Sequence, residues 1–463
     1  MKVIYIFLLI GILNIYVKSK PENGSIIVPM NIVKTVVPYN PGKNYFTIPI
    51  EVGKPKVTFN VQIDTSVATS WLPASYCKNC YKATTFYNHQ NSTTSSPTGD
   101  KVELDDENGD VEGYKVQDTI EISGFKLRQF GFVEVDELDD DFNDHYDGKI
   151  GLGFRGELGH DYNFMEKLKV DGLISKRIFS IYELNSTYGM FLIGDKPVEY
   201  YKFCNVTYLE EVDDDYRESW ICEITHFGLV NISDTQNYKL ANTLEIEDGK
   251  VNFDSAYDYI AVPISYQGLF NKTLFDNYLQ CNFFEIEDKA DDEIVYICDK
   301  KEISTELSLT FVLQGNGYNI LLKDLFKDLH TNDINPSGPK KMEFLIRFID
   351  DDDAIWTFGH PFMREFMMIF NYEERHVGIH STKENKIINL ESDWQIYYQN
   401  ELIEEQQKKN RFYMICGCAI LAAFLVLFLI CLICRGIKRR RMVGSDGRPI
   451  IEEENHYNPD RIY

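Results

Sequence analysis

Two short stretches of this 463-residue chain place carboxylates where they can do chemistry. In Val61-Gln62-Ile63-Asp64-Thr65-Ser66, an apolar, β-forming run ends abruptly in an aspartate, a hydroxyl residue and a small residue. That order puts a carboxylate at the tip of a buried strand, partly stripped of water. Far downstream, Val251-Asn252-Phe253-Asp254-Ser255-Ala256 repeats it. Brought face to face, the two strands would set two carboxylates against each other around one water molecule. Such a pair cannot ionise both members cheaply, so its titrations split and one proton is shared in acid.

The elements that would position these residues also come in two copies. Each aspartate is followed later by bulky positions and a glycine: Lys149-Ile150-Gly151-Leu152-Gly153 in the first half, Trp356-Thr357-Phe358-Gly359 in the second. A glycine there lets one backbone pass close to the aspartate-bearing loop. The chain therefore reads as a divergent internal duplication. From Tyr45 onward it consists of short β-type runs broken by Gly, Pro, Asn and Asp, with brief helical candidates such as 163–170. The expected fold class is all-β.

These motifs together resemble the pepsin-like aspartic peptidases. Tyr45-Phe46-Thr47-Ile48 with Val52-Gly53-Lys54-Pro55 resembles the family's opening hairpin, and Asp147-Gly148-Lys149-Ile150-Gly151-Leu152-Gly153 its Asp-Gly-Ile-Leu-Gly-Leu. Phe179-Ser180-Ile181-Tyr182 and Phe191-Leu192-Ile193-Gly194 are similar to its mid-chain strands, and Trp356 to Phe362, with Phe370-Asn371 and Val377-Gly378-Ile379, to its closing segment. The resemblance covers roughly residues 44 to 382. It implies a bilobal fold, aspartic endopeptidase chemistry on extended peptides without metal or organic cofactor, and catalytic roles for Asp64 and Asp254. One of the pair would deprotonate the water and the other would hydrogen-bond the developing oxyanion.

Several positions depart from the family pattern. The glycine of each aspartate loop is replaced, by Ser66 and by Ala256, and a Cβ there is expected to crowd the partner loop. Thr65 and Ser255 keep the hydroxyl position that ties the loops together. Val67 stands where a hydroxyl usually donates to the first aspartate, with Tyr257 at the corresponding place in the second lobe; losing that donor is expected to raise the pKa of Asp64. Gly109 to Gly113 aligns with the second half of the flap hairpin, which puts Asp106 where a tyrosine normally covers the substrate. Asp105-Asp106-Glu107 would bring negative charge over the cleft, raise the dyad's pKa further and disfavour acidic substrates. Trp71 fits either a cleft tryptophan or a core one, and His360 replaces an aspartate. Two functions follow: a peptidase, or a catalytically inactive pseudopeptidase that displays a peptide- or protein-binding cleft on a membrane.

Length allows two lobes with substantial cores, and a formal net charge of -25 argues against nucleic acid as a partner. Residues 1–19 have a lysine near the start, an apolar run and a small residue at Ser19, the features of a secretory signal. Residues 20–43 are too few for the long basic prosegment that usually covers the cleft of this family, so any latency must be kept by other means. The two lobes are expected over 44–184 and 185–385, followed by a stalk over 386–411.

The apolar stretch 412–434 gives roughly 34 Å of helix, enough to cross a bilayer. Arg435, Lys438, Arg439, Arg440 and Arg441 behind it make 435–463 a cytosolic tail, hence a single-pass type I protein of the cell surface or a secretory or endolysosomal lumen. Asp446 with Ile450-Ile451 resembles an endocytic signal. Cys77, Cys80, Cys204, Cys222, Cys281 and Cys298 lie in the exported part and suggest three disulfides, most simply between sequence neighbours. The Cys77 to Cys80 pair also matches a small loop disulfide of the family, with zinc as the rival reading. Sequons at Asn23, Asn91, Asn185, Asn205, Asn231 and Asn271 fall in the same region. The carboxylate runs at 139–141, 213–215 and 350–353 lack the spacing of a calcium loop and read as surface turns.

Overall fold

A computed structural model describes residues 25–34, 44–104, 106, 109–139, 146–154, 160–207, 219–231, 244–275, 281–287, 292–299, 306–329, 341–350, 355–381, 387–389, 430 and 432–434. The signal stretch, Asn23, the 213–215 run, most of 412–434 and the tail lie outside them. The chain divides into two units, residues 1–393 and 394–463. In the second, Ile430 and Leu432–Cys434 are helical and exposed. Among the described residues no helix is long and apolar enough to cross a membrane.

The first unit is mostly β, because its apolar residues alternate or run short between turn formers and seldom recur at helical spacing. Its longest regular helix among the described residues with an apolar face, Phe164–Val170, starts where the sequence signals it: the Asn163 side chain accepts a hydrogen bond from Glu166 N at 2.9 Å. Among the described residues, a sheet of 13 strands carries Asp64, a sheet of 9 strands carries the approach to Asp254, and a third has 5 strands. The first sheet is shared by both halves of the sequence. Ile178–Asn185 pairs on one side with Tyr188–Ile193 and on the other with Met367–Asn371, near the end of the second half.

Beneath the site this junction is aromatic. Phe179 and Phe370 stack at 4.6 Å between centroids, and Trp220 meets Phe370 and Tyr372 edge-on at 5.1 and 4.7 Å. Trp220 Nε1 and the Tyr372 hydroxyl both donate to the carbonyl of Leu152, at 2.9 and 2.8 Å. Residues from the second half thereby pin the Gly151-Leu152-Gly153 segment against the first aspartate loop.

The duplication is visible in register. The Asp64 strand, Val57–Asp64, lies parallel to Lys149–Gly151, with Gln62 opposite Lys149 and Asp64 opposite Gly151. Lys250–Phe253 lies parallel to Trp356–Phe358, with Asn252 opposite Thr357. Both glycines are there for close approach. A Cβ on Gly151 would stand 2.4 Å from the Ala68 carbonyl carbon, and one on Gly359 would stand 2.3 Å from the Tyr257 carbonyl oxygen.

Candidate active site

Each aspartate sits at the end of its strand, and the residue after it crosses to the other loop. Thr65 Oγ1 donates to the Phe253 carbonyl at 2.7 Å and accepts from Ser255 N at 2.9 Å. Ser255 Oγ donates to the Ile63 carbonyl at 2.8 Å and accepts from Thr65 N at 3.1 Å. Four hydrogen bonds between residues buried from solvent fix one loop on the other. Asp64 and Asp254 are 0% and 2% exposed, and close enough for the charge of one to act on the other.

Neither Ser66 nor Ala256 adopts the left-handed backbone that would require glycine. Both amides still serve the carboxylates, Ser66 N donating to Asp64 Oδ1 and Ala256 N to Asp254 Oδ1, each at 2.8 Å. The Ser66 hydroxyl adds a 2.6 Å bond to the same Asp64 oxygen. It thus replaces the donor missing at Val67, from a position one residue earlier.

The feature the motif reading passes over is Lys149. Its side chain is 0% exposed, and Nζ lies 2.8 Å from Asp64 Oδ2 and 2.8 Å from Asp106 Oδ2. A charged residue on a strand that is otherwise buried must be paired there. The lysine stands between Gly148 and Ile150, where the family pattern is apolar, and that mismatch is the signal the sequence offers.

The electrostatics of the pair split accordingly. Burial alone would raise the pKa of Asp64, but the Lys149 charge and hydrogen bond, then the two bonds from Ser66, outweigh it and hold the carboxyl below its ordinary value. This reverses the expectation of a raised pKa drawn from Val67. Asp254 is pushed up to about 7, first by burial and second by the negative charge of Asp64, against the Ala256 amide and Lys149. The flap carboxylate Asp106 does not face the dyad alone: it shares the Lys149 ammonium with Asp64.

Asp106 lies at the tip of the hairpin formed by Ser96–Leu104 and Val111–Ile122, closed by the pair Leu104 and Val111. Gly109, at a φ of 114°, donates its N–H to the Asp106 carbonyl at 2.8 Å and turns the chain there. Trp71 is buried in a small cluster with Tyr45, Val133 and Val135, its ring 6.1 Å from that of Tyr146. It also lies opposite Lys149 across the sheet. Tyr257 is half-buried, its carbonyl accepting from His360 N at 2.7 Å and its ring edge-on to Tyr259 at 5.2 Å. His360 Nε2 lies 3.0 Å from Glu183 Oε2, both side chains buried.

Away from the dyad, Cys77 bonds to Cys80, Cys204 to Cys222 and Cys281 to Cys298, so sequence neighbours pair and the zinc reading of Cys77 and Cys80 falls. Asn91, Asn185, Asn205 and Asn231 are exposed. Asn271 is half-buried and accepts from the Tyr296 hydroxyl at 2.7 Å.

The family model described as eukaryotic aspartyl protease matches residues 44–382. Renin from Canis lupus familiaris is 23% identical over 359 residues, covering 71% of this chain and 77% of renin. Plasmepsin IV from Plasmodium falciparum (isolate 3D7) is 25% identical over 337 residues, covering 71% and 67% respectively. Gastricsin from Cavia porcellus is 29% identical over 152 residues, covering 31% of this chain and 39% of gastricsin.

Proposed function

Since the chain belongs to the eukaryotic aspartyl protease family, we propose that it is an endopeptidase acting on extended peptides, with Asp64 as general base and Asp254 as general acid. The observation that carries this reading is the opposite displacement of the two carboxyls, one down and one up. Between the two titrations the pair holds a single proton, on Asp254. That is the protonation state hydrolysis requires: an ionised carboxylate takes a proton from water as it attacks the peptide carbonyl, and a protonated one donates to the new oxyanion. The cross-bonded Thr65 and Ser255 hold the groups in place without reorganisation during the reaction.

The test is cleavage of a peptide library by the purified full-length chain from pH 3 to 8, with and without a statine-type inhibitor, repeated with Asp64→Asn and Asp254→Asn. Inhibitor-sensitive cleavage that both variants lose supports the assignment.

A second reading, a peptide-binding pseudopeptidase, is favoured by one observation. Asp64 Oδ1 already accepts from Ser66 N and Oγ, and Oδ2 is engaged by Lys149. A base so fully occupied has little capacity to receive a proton. Inhibitor binding without any cleavage, in wild type and in variants freed at Lys149, selects this second reading.

We further propose export and membrane anchoring as a type I protein of the cell surface or a secretory or endolysosomal lumen, with residues 1–19 as the signal and 412–434 as the span. Three formed disulfides and four exposed sequon asparagines on the proposed luminal side support this. A mobility shift on glycosidase treatment, together with resistance of the chain to alkaline extraction from membranes, tests it; a full-length chain that is unglycosylated and extracted as soluble protein refutes it.

A further inference from the structure

A single buried ammonium joins the dyad to the hairpin above it, and this has a steric consequence. Lys149 Nζ is 2.8 Å from Asp64 Oδ2 and 2.8 Å from Asp106 Oδ2, so those two carboxylate oxygens stand no farther apart than twice that distance. An extended peptide lying between them as a strand needs about 4.8 Å on each side. It does not fit while both contacts are made. All three side chains are at most 3% exposed, so the charges are closed off from water as well as from substrate.

We propose that Lys149 is an internal latch: by bonding Asp64 and Asp106 together it holds the flap down on the dyad and keeps the cleft closed to peptide until the Asp106 contact breaks. The proposal rests on the peptide-cleft reading above and adds its regulation.

The latch has a built-in order of release. Asp64 is held from two directions, by Ser66 and by Lys149, and its loop is bolted to the Asp254 loop. Asp106 is at a hairpin tip where the ladder has ended at Leu104 and Val111. Lifting the hairpin therefore separates Asp106 from Lys149 and leaves the Lys149 to Asp64 pair behind. A peptide has to supply, through its hydrogen bonds and side-chain burial, at least what the charged Lys149 to Asp106 contact contributes.

The experiment measures binding in place of turnover, so it does not depend on catalysis. Association of a fluorescent statine-type peptide with the full-length chain is followed by stopped flow in wild type, Asp106→Asn, Lys149→Met and, as a charge control on the same hairpin, Glu103→Gln. Hydrogen exchange is read in parallel over residues 96–122. The expected result is association about tenfold faster or more in Asp106→Asn and Lys149→Met, with faster exchange at the hairpin tip and no change in Glu103→Gln. If Lys149→Met does not fold, Asp106→Asn at the hairpin tip decides alone. Association and exchange in Asp106→Asn equal to wild type overturn the latch while leaving the cleft reading intact. No peptide binding to any of the proteins, with the hairpin already freed, overturns the cleft reading and the latch with it.

Discussion

The two half-sites are built on one pattern and charged in opposite ways. Gln62 faces Lys149 as Asn252 faces Thr357, and Trp71 faces Lys149 as Ala261 faces Thr357. At the place two residues before the close-approach glycine, the first half has an ammonium and the second a hydroxyl. At the place two residues after the aspartate, the first half has the Ser66 hydroxyl and the second the Ala256 methyl. Both differences favour the charged form of Asp64 more than that of Asp254: Lys149 and the Ser66 hydroxyl bond Asp64 directly, while burial and the charge of Asp64 dominate at Asp254. The backbone frame therefore brings the carboxyls together symmetrically, while side chains outside the frame decide which one keeps the proton.

Removing either carboxylate breaks the comparison outright. Asp64→Asn and Asp254→Asn should each lower peptide cleavage by about 10²–10⁴-fold, the span expected for loss of a general acid or base, measured as kcat/KM at the wild-type optimum.

Next in size is Lys149→Met, which makes the halves more alike. It leaves Asp64 and Asp106 buried without their shared counter-charge, a loss of about 3–5 kcal/mol when one partner of a buried pair is deleted. Chemical denaturation at pH 7 measures it. The pKa of Asp64 should rise, so the acid limb of the pH profile moves upward. In the wild type the depressed pKa of Asp64 contributes stability above its unfolded value, near the ordinary 3.8, that is lost as pH falls through the folded one. In Lys149→Met that acid sensitivity should shrink.

Asp254 supplies the opposite sign. Its raised pKa favours the folded protein fully below the unfolded value near 3.8, and that contribution is lost as pH rises towards about 7. Asp254→Asn should therefore be stabilised relative to wild type progressively from pH 4 to 7, by an amount of the order of a few kcal/mol, read from Tm at each pH.

Gly151→Ala and Gly359→Ala test the shared frame. Each Cβ would meet the backbone of the facing loop at under 2.5 Å, and each should cost about 1–3 kcal/mol of stability. The smallest change, Ser66→Ala, makes the two loops match. It should cost about 1 kcal/mol and raise the Asp64 pKa, read as a small upward movement of the acid limb.

Much of the frame is legible in the sequence, because strand ends, close-approach glycines and loop hydroxyls are imposed by backbone geometry that tolerates few residue types. Asp64, Asp254, Thr65, Ser255, Gly151 and Gly359 are of this kind. Charge assignment is not, because it depends on which long side chain reaches across the sheet. By motif alone Lys149 is one of two bulky positions before a glycine, although a lysine in a buried strand has to find an anion. The flap alignment places Asp106 at the hairpin tip without its partner. Val67 alone implies a raised pKa for Asp64, and the Ser66 hydroxyl, a residue closer, reverses the sign together with Lys149.

The most direct measurement is a carbon-13 titration of the aspartate carboxyl signals, with the two dyad signals assigned by their disappearance in Asp64→Asn and Asp254→Asn. Asp64 is expected to titrate below its ordinary value while Asp254 titrates near 7. Two carboxyls that both titrate in the ordinary range near pH 4, or an Asp64 that holds the proton in place of Asp254, would contradict it.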